Sequence, residues 1–250
     1  MENERPSGLA LTGHDDHFDW IELMARSPSG EIVERAWVRI RDHGAVEAWR
    51  MRHNNTGVSH SICVYASPSR KARYVVPLYL RARSDSDLEG ARRCLTEAGE
   101  QVLIQTQSAP ASVYWYFDGN NGFQLLMPFQ AFDAFYSPWI FPLYVDLAAH
   151  RDRVRPGFID LSIYSPDYAW TFPNSRGPSG LYKIPLTEEE ISTLSADEIL
   201  AMAVSPRPDD SYLDAYVDKY APWWFTSELK RIEEQVTACP QCSDLIKCVR

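Results

Sequence analysis

The sequence predicts an α+β protein. Strand-like apolar runs and helix-like segments interleave along the chain, and 45% of the 250 residues are hydrophobic, which suffices for a large core. A Pro/Asp-rich stretch, SPRPDDS, interrupts the pattern at residues 205–211. We therefore expect one domain over residues 1–204 and a helical C-terminal extension over residues 205–250.

The first elements are predicted as a helix followed by three strands and a second helix. Apolar residues from Phe18 to Leu23 indicate a first helix. Period-2 alternation predicts a strand over 31–41, and apolar runs predict two more, over 59–67 and 73–80. Segment 86–104 has a helical apolar face, acidic residues in its first turn, and Ser84 or Ser86 as a candidate cap.

The second half alternates strands and helices in the same way. The turn residues DGNNG separate two strand-like runs within 112–127. Pro128 begins a helix over 128–150 that breaks near Ser137–Pro138. The remaining predictions are strands over 158–165 and 179–186, helix starts at the capping boxes of Thr187 and Ser195, and two helical segments after 211.

The charge distribution is uneven. The net charge of −9 argues against a surface that binds duplex nucleic acid broadly. Residues 26–93, however, contain 13 Lys+Arg against 7 Asp+Glu. This excess is typical of a confined anion-binding groove or of a solvated charged face, and both alternatives stay open.

The cysteine count and the termini indicate a cytoplasmic protein. The five cysteines are an odd number, which fits a reducing compartment better than a disulfide framework. The N-terminal residues are acidic and carry no long apolar run, so they do not resemble a signal peptide. No run approaches the roughly 20 apolar residues of a membrane span, and we expect no membrane association.

Two arginines end an apolar strand in PLYLRARSDSDLE. Arg81 and Arg83 are spaced i, i+2, so a strand directs both guanidinium groups to one face. Arginine is seldom buried unless it is paired or holds an anion. A specific partner is therefore expected opposite these two side chains.

Three stretches carry a family resemblance. PLYLRARSDSDLEGARRCLTEAG is followed by VYWYFDGNNGFQLLMPFQAF and then by FIDLSIYSPDYAWTFPNSRGPSGLYKIPLT. Over about residues 60–190 they resemble the catalytic core of the archaeo-eukaryotic primase, or primase-polymerase, superfamily. The resemblance implies two α+β halves, one like an RNA-recognition motif, with the site in the cleft between them.

The resemblance implies a site whose family residues are largely replaced. The family's Asp-x-Asp, which binds two catalytic metals, corresponds to Arg81 and Arg83. The Ser, Lys and His of its phosphate-binding turn correspond to Asp118, Asn121 and Gln124, and an arginine before Pro-Asn-Ser corresponds to Thr171. Two functional positions are retained, Asp160 as the third metal ligand and Lys183 near the nucleotide, and the framework residues Asn174 and Ser175 of the Pro-Asn-Ser motif are intact.

Arginine in place of aspartate removes the chemistry of a two-metal site. Such sites use hard oxygen ligands, usually carboxylates, whereas a guanidinium has no lone pair to donate and stays protonated. Asp160 alone is not expected to hold two divalent ions. Three roles for Arg81 and Arg83 remain: pairing with Asp160, holding the phosphate of a nucleotide or nucleic acid, or covering a partner-binding surface.

The leading functional hypothesis is a catalytically inactive primase-polymerase-like subunit without a cofactor. It would bind single-stranded nucleic acid or nucleotide through Arg81, Arg83, Asn121, Gln124, Asn174, Ser175 and Lys183. The resemblance implies a protein partner such as a helicase, a nuclease or a second primase subunit, in a replication, mobile-element or defence system. The alternatives are an active divergent primase with Mg²⁺ or Mn²⁺, using Asp160 and relocated carboxylates (Asp85, Asp87, Asp118), and a purely structural subunit.

Three further patterns concern possible metal ligands and a partner interface. HDDHFD at 14–19 lacks a known metal-ligand spacing and is interpreted as a solvated segment. Cys239, Cys242 and Cys248 supply only three of the four ligands of a structural zinc site, so zinc is not favoured. Aromatic clusters are interpreted as core, except that 223–225 places three large rings in a row, so at least one should be exposed at a partner interface.

Overall fold

The computed structural model describes residues 18–27, 29–132, 135–152, 156–207 and 221–238. Within these residues, ten strands form two antiparallel sheets. The predicted α+β class is confirmed. The first four residues of HDDHFD and the cysteines Cys239, Cys242 and Cys248 lie outside the described residues, so those predictions have no structural counterpart here.

The first sheet is built mainly from the N-terminal third of the described chain. Its order is β5-β4-β1-β3-β9, and β2 pairs with the other edge of β1. Its strands are β1 (Trp20–Arg26), β2 (Ile32–Arg39), β3 (Val58–Ser61), β4 (Val64–Tyr65), β5 (Tyr74–Val75) and β9 (Ala169–Thr171). One face packs against α1 (His43–Arg52), which contributes the buried Trp49.

The second sheet carries the two arginines. Its order is β10-β7-β8-β6, with β6 (Leu78–Arg83), β7 (Tyr114–Phe117), β8 (Gly122–Met127) and β10 (Ile184–Leu186). The 19-residue helix α2 (Leu88–Thr106) covers one face, where its Gly99 lies against Trp115 and Leu125. The opposite face holds Arg81 and Arg83.

The remaining helices flank the sheets. They are α3 (Ile140–Asp152), α4 (Glu188–Thr193), α5 (Ala196–Met202) and α6 (Ala221–Ala238). Thr187 and Ser195 cap α4 and α5 with complete capping boxes, as the sequence predicts. Helix α6 packs against α3 and the short 3₁₀ turn at 129–132. None of the helices in the described part of the chain is long and apolar enough to cross a membrane.

Four element predictions are wrong. Residues predicted as a first helix form β1, a central strand whose burial on both faces leaves no apolar–polar alternation to mark it as a strand. The expected strand at 158–165 is a single bridge at Ile159 followed by a 3₁₀ turn, because Asp160 caps that turn. Pro128 begins a 3₁₀ turn, with α3 starting only at Ile140, and the cap of α2 is Asp87.

Candidate nucleotide-binding site

Strand pairing places Asp160 directly opposite Arg81. The bridge between Ala82 and Ile159 lays the segment around Asp160 antiparallel to β6, and the Asp160 amide donates to the Arg81 carbonyl at 2.9 Å. Facing residues on neighbouring strands direct their side chains to the same side. The expected partner of the two arginines is therefore this carboxylate.

Four side chains form a continuous ion-pair network, which runs from Asp118 through Arg81 and Asp160 to Arg83. Arg81 bridges two carboxylates, with Nη2 at 2.6 Å from Asp118 Oδ2 and Nη1 at 3.3 Å from Asp160 Oδ2. Arg83 Nε lies 3.1 Å from the same Asp160 oxygen. Both carboxylate side chains are about 95% buried, at 5% and 4% exposure. Two cations and two anions thus neutralise one another, and both anions are buried.

The second oxygen of each carboxylate is also occupied. Asp118 Oδ1 accepts from the Asn120 and Gly122 amides at 2.8 and 3.1 Å. Asp160 Oδ1 accepts from the Ser162 amide at 3.1 Å and from its hydroxyl at 2.5 Å. All four carboxylate oxygens therefore have donors, as buried charges require.

Burial and the neighbouring charges shift the pKa values of two groups at this site. Burial lowers the pKa of the Arg81 guanidinium, but the adjacent Asp118 and Asp160 charges outweigh this effect, so its pKa lies above the ordinary value. Burial raises the pKa of Tyr168, which lies beside the network, to about 12. These groups therefore keep one protonation state across the physiological range.

The side chains of this network are not arranged to bind a pair of divalent metal ions. The Arg81 guanidinium occupies the space between the two carboxylates, and every carboxylate oxygen is engaged. Among the described residues, no group of three His, Cys, Asp or Glu side chains is arranged to hold a metal. Asp85 and Asp87 bond elsewhere, Asp85 to the Asn121 amide at 2.5 Å and Asp87 to the Gly90 amide at 2.7 Å.

Asn121 and Gln124 belong to the same site. Asn121 Oδ1 lies 3.4 Å from Arg81 Nη2. Gln124 faces Arg81 across the β6–β8 pair and is only 4% exposed. Its Oε1 has no hydrogen-bond partner among the described residues. The sheet thus brings together five of the predicted site residues: Arg81, Arg83, Asn121, Gln124 and Asp160.

The other three predicted residues bond to the protein. Lys183 is fully buried, donates to the Thr171 carbonyl at 2.9 Å, and lies over the Trp170 ring at 3.9 Å. Ser175 Oγ donates to Asn55 Oδ1 at 3.0 Å. Asn174 adopts a positive φ of 60° and its side chain bonds to the Arg207 backbone. A nucleotide role for these three residues remains a prediction.

Sequence reasoning missed Asp118 as the closest partner of Arg81. The family resemblance contained the signal for this contact. It places an acid, Asp118, in the turn after β7 and two bases, Arg81 and Arg83, at the end of β6. Opposite charges introduced at two neighbouring positions indicate a contact between them. On β3 of the first sheet, burial lowers the pKa of His60 to about 4, so this histidine is neutral at physiological pH.

A groove opens beside the network. It has a volume of about 560 Å³, within the range of ligand pockets. Arg83, half exposed, contributes two Nη groups that make no hydrogen bond within the described ranges. The remaining lining includes Ser84, Asp85, Ser86, Asn121, Phe158, Asp160 and Leu161.

Comparison with known proteins gives a structural likeness and no sequence relative. No protein-family model matches the chain, and no curated protein matches it. Among solved structures, the polymerase domain of Mycobacterium tuberculosis Ligase D in complex with DNA is similar, with a TM-score of 0.50 and 13% identity over 88% of this chain and 83% of that one. The chain has a primase-polymerase-like fold.

A second solved structure is that of primase RepB′. It has a TM-score of 0.47 and 11% identity, and the match covers 92% of this chain and 64% of that one. At such low identities the likeness concerns the fold alone.

Proposed function

We propose that this chain is a primase-polymerase-like protein that has exchanged metal-dependent catalysis for binding. It holds single-stranded nucleic acid or a nucleotide beside Arg83 and acts together with a partner protein. The observation that carries the proposal is the ion-pair network, in which guanidinium groups stand where metal-binding carboxylates would be needed.

The loss of catalysis follows from charge and ligand chemistry. Two-metal phosphoryl transfer requires cations that polarise the reacting oxygens, held by free carboxylates. Here Asp118 and Asp160 are each neutralised by arginine. Expelling the Arg81 guanidinium would leave the buried Asp118 carboxylate without its ion-pair partner, which costs several kcal/mol.

The binding role rests on a difference between the two arginines in exposure and in the number of their protein contacts. Arg81 is 17% exposed and its Nε and Nη2 both contact Asp118, whereas Arg83 is 50% exposed and directs only Nε to Asp160. The remaining Arg83 donors border the groove and have the geometry for a bidentate phosphate contact. Arg81 is therefore structural and Arg83 is the ligand contact.

Association with a partner is supported by helix α6. Trp223 is 71% exposed, while its neighbours Trp224 and Phe225 are buried. The sequence-based prediction that at least one of the three rings is exposed is confirmed. An exposed tryptophan on a packed helix is typical of a protein interface. A helicase, a nuclease or a second primase subunit fits the family resemblance.

The catalytic half of the proposal is tested by a primer synthesis and extension assay with Mg²⁺ and with Mn²⁺. We expect no template-dependent product from the purified chain. Template-dependent extension that is abolished by Asp160→Ala would overturn the proposal and support the divergent enzyme instead.

The binding half is tested with labelled single-stranded DNA, single-stranded RNA and a labelled nucleoside triphosphate. Arg83→Ala should weaken binding of the preferred ligand about tenfold, since a charge-assisted contact contributes about 1.5–3 kcal/mol. Arg93→Ala, which removes another half-exposed arginine from α2, is the matched control. Equal affinities of the two variants would show that Arg83 is not a ligand contact.

A further inference from the structure

On the side of β1 and β2 that is turned away from α1, strand β2 alternates basic and aromatic side chains. On β2 the residues directed outward are Val33, Arg35, Trp37 and Arg39. The facing strand contributes Trp20, which pairs with Arg39. We name Trp20, Arg35, Trp37 and Arg39 the Trp/Arg face. The opposite side of these strands supplies the apolar residues that pack against α1.

The aromatic rings of the Trp/Arg face are held in place. Trp37 packs edge-on against Tyr65, with ring centroids 5.2 Å apart. The Arg39 guanidinium lies 5.4 Å from the centroid of the Trp20 ring. Both tryptophans remain partly exposed. Rigid, partly exposed rings lose little entropy when another flat group stacks on them.

The positive groups on this face are more exposed than their acidic partners. The Arg35 and Arg39 side chains are 41% and 64% exposed, whereas their acidic partners Glu22 and Asp19 are 5% and 24% exposed. Arg35 donates to Glu22 only through Nη1, at 2.8 Å. In the described residues, the other Arg35 donors and all Arg39 donors make no hydrogen bond.

Phosphate and nucleobase together match this face. Exposed guanidinium donors suit the phosphate backbone, and stacking on tryptophan suits any base. Arg35 and Arg39 are separated by about 13 Å along the strand, from a rise of 3.3 Å per residue, with Trp37 between them. Only a strand with unpaired bases can present its phosphates and its ring faces to such a row.

We propose that the Trp/Arg face binds single-stranded nucleic acid, with a base stacked on Trp37 and phosphates held by Arg35 and Arg39. This surface belongs to the first sheet and is separate from the groove at Arg83, which lies on the second. It would guide a strand along the protein whether or not the groove holds a ligand.

The test is a fluorescence anisotropy titration of oligo-dT and oligo-U of about 15 nucleotides, within the site sizes known for single-strand binders. Titrations at about 50 and 200 mM salt give the slope of log K against log salt. Arg39→Ala should weaken binding several-fold and reduce the slope by about 0.7, as expected for one lost phosphate contact on a single strand. Trp37→Ala should weaken binding about fivefold or more and leave the slope unchanged.

The controls separate binding from folding and from the groove. Arg93→Ala should bind as the native chain does, and Trp37→Phe should retain most of the affinity. Because Arg39 is 64% exposed, Arg39→Ala should melt at the native temperature. Native affinity in both Arg39→Ala and Trp37→Ala overturns this proposal, as does failure of the native chain to bind either oligomer. Arg83→Ala reports on the groove independently.

Discussion

Arg81 and Asp118 are the residues on which the site depends. Arg81 lies between two carboxylates, yet its shortest contact, 2.6 Å, is to Asp118. Asp160 is shared between Arg81 and Arg83. Among the described residues, Asp118 is therefore the one carboxylate of this network whose only arginine partner is Arg81. If Asp118 were neutral, the guanidinium groups of Arg81 and Arg83 would have only the Asp160 carboxylate of this network to balance their two positive charges.

We expect Asp118→Asn to lower the free energy of unfolding by about 3 kcal/mol, because a buried charge would lose its principal partner. The amide keeps the size of the side chain and an oxygen for the Asn120 and Gly122 amides. The measurement is urea unfolding at neutral pH.

The matched control is Asp146→Asn, which removes the carboxylate of an exposed pair with Arg231. Surface pairs contribute little, so we expect a loss below about 1 kcal/mol. Adding Arg81→Met to Asp118→Asn should recover much of the stability by removing the unpaired cation. Equal losses in the two Asn variants would show that the network is not buried in solution.

Strands β6, β7 and β8 were predictable from the sequence and β1 was not. The run ending in Arg81 and the DGNNG turn each have a local signature, and both strands of the turn are present. β1 is buried along five successive residues, so it carries no alternation to distinguish it from a helix. α1 was missed because only Trp49 of its ten residues is buried.

The candidate site, like the strands, could be predicted from the sequence only in part. The residues on β6 and β8 could be placed together from strand pairing, and Asp160 from the family resemblance. The Arg81–Asp118 contact depends on the tight turn after β7, whose geometry is set by tertiary packing rather than by a sequence period. Burial of Lys183 depends on β9, a strand of three residues without a periodic signal.

Helix α2 packs so closely on its sheet that one position accepts no side chain. A Cβ on Gly99 would overlap the Trp115 ring and lie 2.7 Å from Leu125 Cδ1. Both neighbours are buried, so they have little room to move. We expect Gly99→Ala to destabilise the protein by about 1–3 kcal/mol, measured by urea unfolding.

Gly44→Ala in α1 is the control for Gly99→Ala. Gly44 is exposed, and the nearest atom to its added Cβ would be Asp42 Oδ1 at 3.7 Å. Alanine has the higher helix propensity, so this change should be neutral or stabilise by up to about 1 kcal/mol. A stabilising effect at Gly99 as well would mean that α2 lies farther from the sheet than described.

The two sheets meet around one buried cation. The Lys183 ammonium lies over Trp170 of the first sheet and, at 4.7 Å, over Tyr116 of the second. It also donates to the Thr171 carbonyl of β9, although Lys183 itself directly precedes β10. The lysine that the family resemblance assigns to the nucleotide thus joins the two halves of this protein.

We expect Lys183→Met, which keeps the length of the side chain, to lower the free energy of unfolding by about 1–3 kcal/mol, because the Thr171 carbonyl would lose its buried donor. Below the melting temperature, single-strand and nucleotide affinities should stay within about twofold of native. Lys71→Met, at an exposed lysine, should change neither quantity. A tenfold loss of nucleotide affinity at native stability would instead assign Lys183 to the ligand. That outcome would require the two sheets to open, because a fully buried ammonium reaches a phosphate only when Trp170 and Tyr116 separate.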